Sequence, residues 1–118
     1  MSTFEATVRQ TSNAVIIDLR GLIDGGAEQA LNAAYAAATA ANPASVLLNF
    51  SSVEYINSTG IALIVGVLAQ ARKAKRHLST FGLSEHYTEI FQITRLADFI
   101  KIYPDEASLM AELSVQSE

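Results

Sequence analysis

The chain has 118 residues, half of them apolar, with 12 acidic against 8 basic side chains and a net charge of −4. That length and hydrophobicity suit one compact domain over residues 1–118, since domains typically run to ~100–150 residues. The absence of cysteine excludes a disulfide framework and a thiolate nucleophile, two histidines are too few for the usual zinc sets, and the acidic balance argues against a general nucleic-acid binder.

In chain order, Phe4–Gln10 alternates apolar with polar and predicts a half-buried strand with Phe4, Ala6 and Val8 on one face. Thr11-Ser12-Asn13 is a turn cluster, and Ala14–Arg20 predicts a second strand, with Val15, Ile17 and Leu19 inward, that completes a hairpin. Gly21–Gly26 breaks that pattern, and the alanine-rich segment Ala27–Ala41 predicts a helix with Leu31, Ala34 and Ala38 facing in, stopped by Asn42-Pro43. Ser45–Phe50 is short and apolar, as an internal strand requires, and Val53 and Ile56 lead on to Asn57-Ser58-Thr59-Gly60. A second helix is predicted over Ser58–Lys75.

The remaining predicted elements are a strand at Leu78–Leu83, a short helix opened by Ser84 with Ile90, Phe91 and Ile93 as its apolar contacts, and a strand at Phe99–Tyr103. A final helix is expected with Pro104 as its first residue, Asp105 and Glu106 at its positive end, Met110 and Leu113 facing in, and a frayed tail from Ser114. After the first hairpin strand, four βα units follow one another, which predicts an α/β fold with a mixed, mainly parallel sheet and flanking helices. No apolar run approaches the ~20 residues that cross a bilayer, and Met1–Glu5 lack a basic region leading into an apolar block, so a cytoplasmic protein without membrane insertion is expected.

Two features exceed what the fold needs. Ile61–Val65 is apolar on every side, which either full burial or an apolar partner surface would explain; Ile61, Ile64, Val65 and Leu68 share the expected core face, leaving Leu63 and Val67 for a partner. Half of the basic side chains fall in Arg72–Arg76, where they either complement a helix C-terminus or form a patch for an anionic partner.

No P-loop and no Gly-x-Ser-x-Gly elbow occurs, and neither His77 nor His86 stands in a context that marks a general base, so an enzyme is not expected. A phosphate-accepting receiver site would need an acidic residue at the end of the internal strand; here that strand ends Leu48-Asn49-Phe50. Asn57, Ser58 and Thr59 are suited to capping the second helix, and a hydroxyl there is also a plausible phosphoryl acceptor, because helical N–H groups and the dipole tolerate its charge.

The stretches Leu22-Ile23-Asp24, Val46–Ile56, Asn57–Leu63 and Ile90–Leu96 together resemble the STAS domain family, and within it the bacterial anti-sigma factor antagonists. The resemblance spans nearly the whole chain and implies a single STAS-like domain built as an N-terminal hairpin strand followed by four βα units. It also implies a partner-switching protein that binds an anti-sigma factor, itself a serine kinase, when unphosphorylated, is released on phosphorylation of Ser58, and is reset by a serine phosphatase. Thr59 is the fallback acceptor, and Asn57, Ser58, Thr59 and Gly60 form the switch motif, with Gly60 expected to let the backbone and a partner approach closely. The expected partner contacts are Asp24, Tyr55, Ile61, Leu63 and Val67. No cofactor is implied for this chain, since ATP and Mg²⁺ come with the kinase. Asn57 departs from the family's usual Asp: an amide keeps the capping geometry but carries no charge and cannot act as a base. The alternative is a constitutive STAS scaffold subunit of a signalling or transport assembly in which Ser58 is only a helix cap.

Overall fold

The computed structural model describes residues 4–11 and 14–116, with side chains described as far as residue 112. Ser12 and Asn13 of the expected turn, and the expected inward side chain of Leu113, lie outside the described residues. The hairpin forms from β1 (Glu5–Gln10) and β2 (Val15–Ile23), paired antiparallel from Glu5↔Arg20 to Gln10↔Val15. There follow α1 (Glu28–Thr39), β3 (Ser45–Ile56), α2 (Ser58–Lys73), β4 (His77–Phe81), α3 (Glu85–Ile93), β5 (Lys101–Tyr103) and α4 (Glu106–Gln116). The five strands lie in the order β1-β2-β3-β4-β5, with every pair after the first parallel. This is the mixed, mainly parallel α/β sheet that the alternation predicted.

Each crossover steps to the next strand in the same direction, so connections of one hand place α1, α2 and α3 on one face. The main core lies there: Val15, Ile17 and Leu19 of β2 and Val46, Leu48 and Phe50 of β3 meet Leu31 and Tyr35 of α1, Ile64, Val67 and Leu68 of α2, and Phe91 of α3. α4, which follows the last strand among the described residues, takes the other face. Its Leu109 packs there against Ile16, Leu47 and Phe81, the alternate residues of the same strands.

Arg9 joins these layers, donating to Asp18 Oδ1 at 2.9 Å and Glu106 Oε1 at 3.1 Å, while Asn49 Nδ2 donates to Asp18 Oδ1 at 2.7 Å. The Arg9 hydrogen bonds hold the Asp18 carboxyl below its ordinary pKa, against the opposing effect of partial burial.

Several boundaries differ from the sequence reading. β2 continues through Gly21 to Ile23, because Gly21 takes φ +95° and the pairing with β3 shifts register on either side of it. β3 runs twelve residues to Ile56; its first part pairs with both neighbours and its last part with β2 alone. Phe99 and Ile100 stay out of β5 because their N–H groups both donate to Leu96 O, closing a turn. Pro104 lies ahead of α4, whose first turn is capped instead by Asp105, with Oδ1 accepting from Ser108 N–H at 2.8 Å. The helix continues past Ser114 to Gln116. Ile93, expected as a core contact, is 73% exposed, since the inward stripe of α3 is Tyr87 and Phe91.

Candidate functional site

The long overhang of β3 carries the chain to the carboxyl edge of the sheet, and three hydrogen bonds fix where it turns. Ile56 N–H donates to the buried Tyr87 hydroxyl at 2.9 Å, tying the strand end to α3. Asn57 N–H donates to Ile23 O at 3.2 Å. Asn57 is extended, at φ −92° and ψ −177°, and its side-chain oxygen accepts from Gly60 N–H at 2.8 Å. Asn57 is thus the N-cap, and its own carbonyl accepts the first helical bond from Ile61 N–H at 2.9 Å.

This assignment changes the role of Ser58. The helix begins at Ser58, one position past the cap, and among the described residues its hydroxyl makes no hydrogen bond. Ser58 and Thr59 are both exposed. The capping role that the scaffold alternative gave to Ser58 is therefore corrected to Asn57, whose amide oxygen is placed by the extended backbone to reach Gly60.

Gly60 also differs from expectation. A Cβ there would lie 2.0 Å from Ile23 O, so the close approach that requires glycine is to the end of β2, and the residue is buried rather than open to a partner. Beside it Asp24 caps the short turn Gly25–Ala27, accepting from Gly26 N–H at 2.9 Å. A Cβ built on Gly25 would meet the Thr59 methyl at 3.6 Å, so the turns after β2 and β3 lie side by side. Asp24, Asn57, Ser58, Thr59 and Gly60 are brought together as one structural unit.

The expected partner contacts divide. Tyr55 is 55% exposed, and Ile61 and Leu63 are half-buried, packed on the rim of the main core. Val67 is 1% exposed and is corrected to a core residue. The core stripe of α2 is Gly60, Ile64, Val67, Leu68 and Ala71, which turns Val65 outward to 44% exposure. Ser58, Ala62 and Val65 follow one another at spacings of four and three along the exposed side, with the half-buried Ile61 at its edge. Sequence reasoning chose the wrong centre for the stripe, since the apolar run allows either phase. The contact of Gly60 with β2 selects one.

Electrostatics distinguish this helix from the others. α1, α3 and α4 each carry an acid in the first turn, Glu28, Glu85 and Glu106, while α2 carries none. Its first N–H groups and positive dipole end therefore face Ser58 without a carboxylate from the helix itself. Among the described residues no group of three His, Asp or Glu side chains could hold a metal ion. His86 packs edge-on to Tyr87 with ring centroids 4.8 Å apart, and His77 begins β4. No helix is long and apolar enough to cross a membrane, among the described residues.

The STAS domain model matches residues 5–109, from the first strand into the last helix. The chain belongs to the STAS family. An anti-sigma-B factor antagonist of Listeria monocytogenes is 36% identical to this STAS chain over 55 residues, 47% of the chain and 48% of the relative. The chain thus spans about half the length of the curated relatives it matches. An anti-sigma factor antagonist of Mycobacterium paratuberculosis shares the fold at a TM-score of 0.80 with 18% identity, covering 94% of each chain. The Bacillus cell fate determinant SpoIIAA in its phosphorylated form superposes at 0.68 with 18% identity, covering 90% of this chain and 97% of its own. These structures share its overall fold.

Proposed function

We propose that this STAS chain is an anti-sigma factor antagonist that switches partners through phosphorylation of Ser58. The observation that carries this reading is the division of labour at the start of α2. Asn57 caps the helix, which leaves the Ser58 hydroxyl exposed and unengaged on a helix without an acid in its first turn.

In the transfer, the Ser58 oxygen attacks the γ-phosphorus of ATP held by a partner kinase. The new O–P bond replaces the bond to the β-phosphate oxygen, ADP departs, and the hydroxyl proton passes to a base on the kinase. The product carries nearly two negative charges at neutral pH. Free N–H groups and the dipole of α2 stabilise those charges, so the fold survives modification.

The same charge is introduced among Tyr55, Ile61 and Val65, side chains that a partner would cover. Desolvating a phosphate against an apolar or acidic surface is unfavourable, so the modified form is released. Homology to anti-sigma-B factor antagonists and a fold shared with a protein known in a phosphorylated form support this assignment. The chain acts as substrate and ligand rather than as an enzyme, in the cytoplasm, with ATP and Mg²⁺ held by an anti-sigma serine kinase and a serine phosphatase restoring the hydroxyl.

The test is incubation with the cognate anti-sigma kinase and ATP, with phosphate located by mass spectrometry, beside pull-downs on Ser58→Ala and Ser58→Asp baits. Phosphate at Ser58, with the kinase retained by the alanine bait alone, is expected. Equal retention by both baits would favour a constitutive scaffold subunit, and modification at neither Ser58 nor Thr59 would reject the switch.

A further inference from the structure

A cleft of about 300 Å³ lies at the end of the sheet opposite the switch, where β3, β4 and β5 begin. Ser45, His77 and Lys101, the first residues of those strands, line it, joined by Arg72 from the last turn of α2 and Arg76 from the connection between α2 and β4. Three of the chain's eight basic residues therefore border one cleft in a protein of net charge −4, against one of its twelve acidic residues, Asp98. Asp98 is already paired with Arg95, Nε to Oδ2 at 2.6 Å.

The cations themselves are not neutralised. Among the described residues Arg72, Arg76 and Lys101 form no ion pair. Arg76 donates to uncharged acceptors, Pro43 O and Asn42 Oδ1, each at 2.8 Å. Arg72 stacks over the Phe99 ring, 4.4 Å from its centroid. Complementing the α2 C-terminus explains Arg72 and its neighbour Lys73, but it does not explain Lys101 on β5. Positive charge converges here from separate elements.

We propose that this cleft binds a small organic phosphate. Guanidinium and ammonium groups supply charge-assisted hydrogen bonds to a phosphate dianion, and the hydroxyls of Ser45 and Ser79, both in the lining, add neutral ones. Phe99 is 54% exposed at the same cleft and offers a flat apolar surface to the organic part of the ligand. The volume is at the lower end of the ~300–1,000 Å³ typical of small-molecule sites. The net negative charge disfavours a long polyanion, which would need a basic surface well beyond one cleft.

The test is an amide NMR titration of the full chain at constant ionic strength with phenyl phosphate, inorganic phosphate and phenol as probes. Saturable shifts at Ser79, Phe99 and Lys101 with phenyl phosphate are expected, with weaker binding of inorganic phosphate and none of phenol. The double variant Arg72→Gln/Lys101→Gln, which spares the Arg76 contacts, should weaken phenyl phosphate at least about tenfold with its thermal unfolding retained. Ser58→Ala should leave binding unchanged, which separates this site from the switch. Absence of saturable shifts, undiminished binding by a folded double variant, or inorganic phosphate binding as tightly as phenyl phosphate would each overturn the assignment.

Discussion

Exchanging the roles of two adjacent residues offers the sharpest test of the site geometry. Asn57→Ala removes the oxygen that accepts from Gly60 N–H at 2.8 Å, and loss of such a cap costs about 1 kcal/mol within a range of ~0.5–2. Ser58→Ala removes an exposed hydroxyl that has no partner among the described residues, so its effect should stay within about 0.5 kcal/mol. For 118 residues at about 2.1 cal/mol/K each, the unfolding entropy is about 0.25 kcal/mol/K, so 1 kcal/mol lowers Tm by about 4 °C. Calorimetry should therefore show a loss of about 4 °C for Asn57→Ala and less than about 2 °C for Ser58→Ala. Asn57→Asp should raise Tm slightly, because a carboxylate at the positive end of a helix adds ~0.3–1 kcal/mol at low salt. A larger loss for Ser58→Ala than for Asn57→Ala would refute the assignment of the cap, and with it the argument that Ser58 is free for transfer.

Four further outcomes can be checked by unfolding and binding measurements. Gly60→Ala should destabilise by more than about 3 kcal/mol, since its Cβ would meet a backbone oxygen at 2.0 Å, whereas Gly66→Ala, with nothing within 4 Å, should stabilise by about 1 kcal/mol. Tyr87→Phe should cost ~1–3 kcal/mol in urea titrations by leaving the Ile56 N–H unpaired. Val65→Glu should weaken binding of the proposed anti-sigma partner at nearly unchanged stability, while Val67→Glu should unfold the protein by burying a carboxylate in the core. The folded Asp18 pKa lies below its unfolded value, so its contribution is fully present above about pH 4 and is lost as pH falls through the folded pKa; Asp18→Asn should flatten acid unfolding there.

Some of this protein is determined locally by the sequence. Alternation in β1 and β2, the alanine-rich α1 and the repeated βα order all depend on short-range periodicity, so the α/β class and sheet parallelism were readable before any contact was known. The motif Asn57-Ser58-Thr59-Gly60 was equally visible, and with the strand before it and the α3 segment after it, it was enough to suggest the family. Which of three polar residues is the cap was not: Asn57, Ser58 and Thr59 all have side-chain acceptors, and the choice follows from where β2 anchors Asn57 N–H. The phase of α2 was undetermined for a related reason. Its first turns are apolar all round, so Val65 and Val67 are interchangeable by composition, and only the packing of Gly60 against Ile23 turns Val67 in and Val65 out. Likewise, Arg72, His77 and Lys101 belong to three elements, and only their assembly makes a cleft. Short-range patterns specify the type of each element, while its rotation and neighbours are set by contacts between residues distant in the chain.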